Sequence, residues 1–398
     1  MSEFRVAVVG GGIGGIAAAL SLLQMGVEVT VYEQAHELRE IGAGVQISPN
    51  ASRILHGLGL GDALAQFGVR PLAWHQRRWD DARTLLRTPL AGAMEQAFGF
   101  PHYQIHRADL LRLLLEHLPP RAMMPGRQLV GLHNANDFVE LEFANGERAT
   151  ASLVVGADGI HSRVRSLLFD TGETRFAGCV CYRGLVPAAA VAHLDIPVEA
   201  QIWMGPGKHF VHYYVRGGQL FNFVAVIDRY EWIPESWTEK GDKHDALAAF
   251  AGWHPQIRQI LNAVEDTFVW GLFDRAPMQR WSAGRVTLLG DACHAMLPFM
   301  AQGAAQAIED GAALAACLRH AGADIASALN HYERLRLQRT AKVQQLAAAN
   351  KIRFHLDDGT VQLARDAEMA QNTTDFSLRN VAWLYGHDAG RIDVESVA

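Results

Sequence analysis

The stretch that most restricts what this chain can fold into runs from Val6 to Glu33, VAVVGGGIGGIAAALSLLQMGVEVTVYE. An apolar run, Val6–Val9, stops at Gly10, and Gly10, Gly12 and Gly15 fall in the G-x-G-x-x-G spacing, with Gly14 beside the last. Mostly small or aliphatic residues follow at helical length and end near Gly26, a natural residue just past a helix C-terminus. Val27, Val29 and Val31 then alternate with Glu28, Thr30 and Tyr32, the period of a strand, and Glu33 closes the unit. Gly10 permits the tight strand-to-helix turn, Gly12 lets a pyrophosphate approach the backbone, and Gly15 lets helix and strand pack closely. The helix start offers free N–H groups and a positive dipole end to phosphates. Glu33 at the strand tip can accept a hydrogen bond from a ribose hydroxyl. The competing reading is a membrane or signal segment, because Val6 to Val27 carries no charge. Six glycines between Gly10 and Gly26, a strand pattern straight after, and no small-residue cleavage site argue against it.

A length of 398 residues leaves room for two or three structural units and a large core. With 49% apolar and 20% charged residues, the composition is that of an ordinary globular protein. The net charge of −6 gives no basic field for nucleic acid. Four cysteines, Cys179, Cys181, Cys293 and Cys317, fall in no CxxC or zinc-like pattern, so no metal site is expected. No CxxxxC pair is present either, which disfavours a dithiol-relay reductase. Reduced thiols in the cytoplasm are the expectation. The Asn372-Thr373-Thr374 sequon is read as chance.

Further along, Arg39 lies in a polar loop, and Gly42 and Gly44 bracket Ala43 ahead of a short strand that includes Val45. Glycines at a strand entrance suggest backbone running close against something flat; a simple bulge is the alternative. Leu72 to Thr88 alternates like a strand. His106-Arg107-Ala108-Asp109 opens a helix, Leu110 to His117, and an arginine in its first turn runs against the helix dipole. Arg107 is better explained by an anionic or ribose partner. Gln128 to Ala151 carries hairpin signals around Ala144-Asn145-Gly146. Leu153-Val154-Val155 reads as a buried parallel strand ending in Gly156-Ala157-Asp158-Gly159, followed by Arg163 and Arg165 on a helix. An Asp-Gly pair at such a strand end is where these sheets bind ligands. An ordinary turn there would need no arginines.

From Phe176 to Trp270 short alternating runs suggest an antiparallel sheet forming a second unit. On one of its strands His209, Val211, Tyr213 and Val215 share a face. A histidine and a tyrosine four residues apart suit a pocket wall; the alternative is a half-solvated sheet with both at the surface. The chain then returns through Arg285–Leu289, a buried strand ending in Gly290-Asp291-Ala292-Cys293-His294. Pro298, Gln302-Gly303-Ala304 and a helix to His320 follow, a second ligand edge. His294 as one residue on a loop is more often structural. Ala323 to Phe354 reads as a long helix, the tail from Asp357 shows no readable chemistry, and Trp383-Leu384-Tyr385 is expected to dock as an anchor.

GGGIGG with Glu33, HRADLL, GADGIHSRVR and GDACHAMLPFMAQGAAQAIED, in this order, resemble the flavin-dependent aromatic hydroxylases, the single-component monooxygenases of the p-hydroxybenzoate hydroxylase type. The resemblance spans residue 5 to about residue 350 and is nearest to salicylate hydroxylases, 3-hydroxybenzoate 6-hydroxylases and 6-hydroxynicotinate 3-monooxygenases. It implies an α/β fold: a Rossmann-like FAD-binding domain, a discontinuous antiparallel β-sheet substrate domain and a long C-terminal helix. The expected division is 1–71, 98–175 and 271–322 for FAD, 72–97 and 176–270 for substrate, and 323–398 for the C-terminal helical segment.

By position, the resemblance gives Gly10, Gly12, Gly14, Gly15 and Glu33 the FAD pyrophosphate and adenosine ribose. Gln34, Arg39, Gly44, Val45 and Arg107 would contact the cofactor, and Asp291 its ribityl chain. Asp158-Gly159 would serve both FAD and the nicotinamide donor. Pro298 and Gln302-Gly303-Ala304 would lie beside the isoalloxazine ring. The implied reaction uses NAD(P)H and O₂ to hydroxylate a small phenolic or hydroxy-heteroaromatic acid through a C4a-hydroperoxyflavin. With one dinucleotide fingerprint, NADH (or NADPH) would bind transiently, and NADH is favoured because no arginine cluster for a 2′-phosphate is evident. His209 and Tyr213 would help remove the phenolic proton. A cytoplasmic homodimer, with no nucleic-acid or membrane partner, is the expected setting. Two other classes compete: a flavoprotein that reduces or epoxidises a non-phenolic substrate, and a flavin-binding regulator without turnover. Polar aromatics at 209 and 213 speak against both.

Overall fold

The computed structural model describes residues 4–37, 43–169, 172–229, 231, 240–371 and 378–391; Arg39, Gly42 and the Asn372 sequon lie outside the described residues. Strand Arg5–Val9 pairs in parallel with Glu28–Glu33 on one side and Leu153–Gly156 on the other. Val286–Leu288 extends this parallel array, and the short edges Met123–Pro125 and Ser282–Ala283 complete six strands. The runs VAVV and LVVG are apolar without alternation because both faces of this sheet are covered, and Val8, Val155 and Val286 are wholly buried. Helix Ile13–Leu23 packs against it, and helix Gly303–Ala321 packs on that helix in turn. Gly311 makes the approach possible: a Cβ there would stand 2.6 Å from the Ala18 Cα.

The second unit is an eight-stranded sheet whose central strands, Arg175–Pro187, Leu220–Asp228 and Lys208–Val215, run antiparallel. It is mixed, however, because Ala200–Gly205 pairs in parallel with Ala73–Arg78. The strand Thr267–Asp274 runs past Trp270 within this sheet. The stretch read as dominated by short alternating runs also contains helices, among them Lys243–Ala249 and Pro255–Ala263. Buried Phe250, just past the first of these, and Ile257 and Ile260 of the second pack with Trp203, Phe210 and Phe223 and so cover the sheet face that would otherwise stay wet.

Residues 129–151 form a three-stranded antiparallel ribbon. The long helix, Ile325–Phe354, starts where the Asp324 carboxylate accepts the Ser327 N–H at 3.0 Å. It bridges both sheets. The tail from Asp357, in which no chemistry is readable, holds a further helix, Thr360–Ala370, whose Met369 joins the substrate-side core. Leu384 and Tyr385 dock beside it, and Arg339 donates to the carbonyls of Trp383 and Leu384. No helix among the described residues is long and apolar enough to cross a membrane.

Candidate active site

Between the two sheets lies a cavity of about 360 Å³ that both units line. Gly12 and Gly14 enter it from the first helix, Gln302, Gly303 and Ala304 from the start of Gly303–Ala321. Neither helix carries a side-chain cap or an acid in its first turn, so the N–H groups of both open onto the same space. The glycines divide into two kinds. A Cβ on Gly10, whose φ is +111°, would lie 2.3 Å from the Ala157 carbonyl oxygen, and one on Gly15 would lie 2.0 Å from that of Gly10. These two make the turn. A Cβ on Gly12, Gly159 or Gly303 would meet nothing within 4 Å. Bare backbone on three sides, with two uncapped helix starts, fits a large flat cofactor bearing a pyrophosphate.

Arg107, Gly44, Val45, Gly159, Asp291 and Pro298 also line the cavity. Gly44 shows what the flat neighbour of its strand is. A Cβ there would stand 2.5 Å from the Tyr213 ring, and its N–H donates to Asn222 Oδ1 at 2.8 Å. The glycine therefore lets the cofactor-side ribbon close onto the substrate sheet.

Glu33, Gln34 and Asp158 do not line the cavity. The Glu33 carboxylate accepts the N–H groups of Gly11 at 2.7 Å and Ala35 at 2.8 Å, which braces the glycine turn from behind. Gln34 is exposed. Asp158 accepts from Ser162 Oγ at 2.5 Å and from the N–H groups of Arg163 and Val164. It thus caps helix Arg163–Leu168, and burial holds its pKa above the usual carboxylate range against those hydrogen bonds. Arg165, by contrast, is spent on the carbonyls of Ala292 and Ile160, tying this turn to the Asp291 loop.

On the substrate side, His209 and Tyr213 line the cavity and are 2% and 4% exposed. The surface alternative for this face is thus excluded. Burial pushes the Tyr213 phenol up, the charge of Arg183 opposing it, and burial with the neighbouring His355 pushes His209 well below its ordinary value. His209 is neutral here, with a ring nitrogen available as an acceptor. Trp74, Ile202, Val224, Trp270, Leu272 and Phe299 supply an apolar lining. Into it reaches one residue that sequence reasoning passed over, Arg183, whose guanidinium lies 4.3 Å from the centre of the Trp270 ring. A cation inside the otherwise apolar strand CVCYRGLVP was the available signal.

Beneath the loop from Asp291 to Gln302 sits a buried polar network that the sequence reading also missed. Arg336 from the long helix pairs with Glu309 and, at 2.7 Å, with Asp310; Arg339 pairs with Glu309 at 2.7 Å. Asp310 in turn accepts from the Gly290 N–H at 2.9 Å and bonds His294 at 2.6 Å. Asn50 joins Glu309 to Gln302, and Gln302 donates to Ser48. Burial alone would raise the Glu309 carboxyl, but the two arginines outweigh it and bring it down to about 2. His294 is therefore structural, as expected. Cys293, His294 and Asp310 come within metal-ligand distance of one another, yet the Asp310 oxygens are committed to Arg336, Gly290 and His294.

The fold and this cleft define a flavin-binding oxidoreductase. Residues 3–347 match the family model described as FAD binding domain, and the chain belongs to that family. It is 43% identical over 388 residues to a 3-amino-4-hydroxybenzoate 2-monooxygenase of Streptomyces platensis, covering 98% of this chain and 97% of the relative. It is 38% identical to a 6-hydroxynicotinate 3-monooxygenase of Pseudomonas fluorescens, over 87% of this chain and 91% of the relative. Among solved structures, Klebsiella pneumoniae HpxO, complexed with FAD and uric acid, superposes with a TM-score of 0.82 at 29% identity, over 92% of this chain and 93% of that one. The protein is an FAD-dependent aromatic monooxygenase that uses NAD(P)H and O₂.

Proposed function

We propose that this enzyme hydroxylates a small aromatic or heteroaromatic acid bearing a ring hydroxyl. The observation that carries the reading is the burial of His209 and Tyr213 on one strand face, in the cavity that Gly12 and Gly303 enter from the cofactor side. The relatives named above act on ring acids with a hydroxyl, in keeping with this substrate class.

FAD held at the two helix starts supplies electron transfer from NAD(P)H and activation of O₂. The chain's own residues do the rest. Gly12, Gly14, Gly303 and Ala304 would offer backbone N–H groups to the cofactor, Arg107 would offer a cation, and Asp291 would accept from ribityl hydroxyls. Glu33 and Asp158 hold the turns that shape this surface. Trp74, Trp270, Ile202 and Phe299 sandwich the substrate ring and exclude water. We assign the substrate carboxylate to Arg183, where the guanidinium can engage it bidentately. His209 and Tyr213 face the ring hydroxyl, and His209 accepts its proton so that the ring becomes a stronger nucleophile.

The expected division of the chain is part of this proposal, although strands Arg175–Pro187 and Thr267–Asp274 carry the mixed sheet a few residues into the FAD-binding segments at 175 and 271–274. NADH is the proposed donor; a kcat/KM for NADPH well above that for NADH would overturn this. A cytoplasmic location agrees with four buried free thiols. A homodimer is the proposed assembly, checked by sedimentation of the holoprotein.

The substrate reading is tested by NADH oxidation across hydroxybenzoates, aminohydroxybenzoates and hydroxynicotinates, each beside its counterpart lacking the carboxyl. The true substrate should stimulate oxidation and gain one oxygen, and Arg183→Met should raise KM for the acid but hardly for the counterpart. Equal use of acid and counterpart by the wild type would exclude the carboxylate assignment.

A further inference from the structure

His209 has a partner that the proposed reaction does not use. Its Nδ1 lies 2.6 Å from His355 Nε2, and His355 Nδ1 lies 2.7 Å from Asp228 Oδ1. The two imidazoles are nearly sealed, with His209 2% and His355 7% exposed, whereas the Asp228 side chain is 23% exposed. The three groups come from three places: the pocket strand Lys208–Val215, the end of the long helix at Phe354, and the tip of strand Leu220–Asp228. Backbone bonds fix the tips together. Gly207 donates to the His355 carbonyl at 3.0 Å, and Asp228 donates to that of Gly207 at 2.8 Å. Phe299 and Phe354 stand edge-on to the His209 ring with centroids 5.1 and 5.3 Å away, so no other polar group on those residues competes for it.

The direction of the chain follows from donor and acceptor rules. An ionised carboxylate only accepts, so His355 presents Nδ1–H to Asp228 and keeps the lone pair on Nε2. That lone pair must accept from His209 Nδ1–H. His209 is then left with its lone pair on Nε2, the tautomer that can take a proton in the cavity. We propose that His355 and Asp228 are positioning residues for His209: they select its basic tautomer and carry the proton it takes from the substrate to the protein surface. This rests on the phenolic-acid reading above.

The steps balance. The substrate hydroxyl gives H⁺ to His209 Nε2; His209 Nδ1–H passes to His355 Nε2; His355 Nδ1–H passes to Asp228, which releases it to water. Each imidazole gains one proton and loses one, so neither buried ring is left charged, and the charge that stays in the cavity is that of the substrate phenolate. Run backwards, the same path returns a proton to the product oxygen and restores the starting tautomers. The other charged or titratable groups around the path are Lys351, 3.9 Å from Asp228 with its ammonium donating to the Ala177 carbonyl, and Cys179. Burial keeps the Cys179 thiol up at about 12, so it stays protonated.

The test needs no turnover. Oxidised holoenzyme without NAD(P)H is mixed with 4-hydroxy-3-nitrobenzoate, a phenolic acid whose phenolate is coloured, and phenolate appearance is followed by stopped flow between pH 6 and 9. Wild type should ionise the bound probe rapidly. Asp228→Asn and His355→Gln should bind it and retain flavin, yet ionise it at least about tenfold more slowly, the lower end of what proton-transfer assistance contributes. Asp228→Glu should restore part of the rate, which a packing role would not do. In parallel, ¹⁵N NMR of the histidine rings should show His209 protonated on Nδ1 in wild type and a mixture of tautomers in Asp228→Asn. Probe binding with wild-type ionisation rates and tautomers in Asp228→Asn would overturn the relay alone. Failure of wild type to bind phenolic acids at all would remove the substrate reading and the relay with it.

Discussion

At Tyr213 a hydrogen atom elsewhere decides the geometry. The bare Gly44 Cα lies against the Tyr213 ring, so a methyl at Gly44 would have to displace either the ring or the cofactor-side strand. Tyr213→Phe and His209→Ala are each expected to slow hydroxylation by roughly 10²–10⁴ while flavin stays bound, since both remove help with the phenolic proton. The share of NADH equivalents lost as H₂O₂ should rise with them. Gly44→Ala should reproduce that loss of coupling without touching either polar group. Product formed per NADH consumed measures all three variants; wild-type coupling throughout would mean that these side chains do not meet the substrate. The common face of His209 and Tyr213 was legible from the two-residue period of a strand. That the face is buried was not, because the period separates two faces without saying which one another element covers. The cover comes from Gly44 over Tyr213 and from Phe299, Phe354 and His355 over His209, all distant in sequence.

Two helices hold the cofactor loop, and their energetics are unequal to their visibility. Helix Gly303–Ala321 was readable from GAAQAIEDGAALAAC, and its start was expected to face the flavin. Its Glu309 and Asp310, however, gain their meaning from Arg336 and Arg339 on the next helix, with Arg336 wholly buried. A buried arginine cannot be told from a solvated one by sequence spacing alone. Arg336→Met should cost about 3–5 kcal/mol in chemical denaturation, because it leaves two buried carboxylates short of their partner. Flavin retention should fall with it, since Asp310 also holds Gly290 and His294. A stability loss below about 1 kcal/mol would show that the pair is not the brace described, as exposed pairs contribute no more than that. Asp291→Ala tests the front of the same loop. Losing an acceptor for ribityl hydroxyls should weaken FAD binding by about 1.5–3 kcal/mol, or roughly 10- to 150-fold in Kd, read by titrating apoprotein with FAD. An unchanged Kd would remove Asp291 from the cofactor site.

Across the molecule, the main strands of the parallel sheet were readable because continuous apolar runs and glycine turns mark them locally, whereas their order was not. The mixed pairing of Ala200–Gly205 with Ala73–Arg78, the covering helices at 243–263 and the helix Thr360–Ala370 were not, since each follows from a face that needs cover. The buried acids give the assembled fold a pH signature. With the Glu309 carboxyl lowered from 4.5 to about 2, burial opposing and Arg336 and Arg339 prevailing, its contribution is fully present above about pH 4.5. It is lost as pH falls from there toward 2. The thermal midpoint should accordingly hold between pH 7 and 5 and drop below about 4.5; a flat acid limb would contradict the pairing. The central claim is that one cavity brings FAD at two helix starts against a phenolic ring deprotonated by His209. It is met most directly by turnover of the best substrate from the acid panel under ¹⁸O₂. Close to one labelled hydroxyl in the product for each NADH consumed is the predicted result. Oxidation of NADH that the aromatic acid does not stimulate, with the label recovered only as H₂O₂, would contradict it.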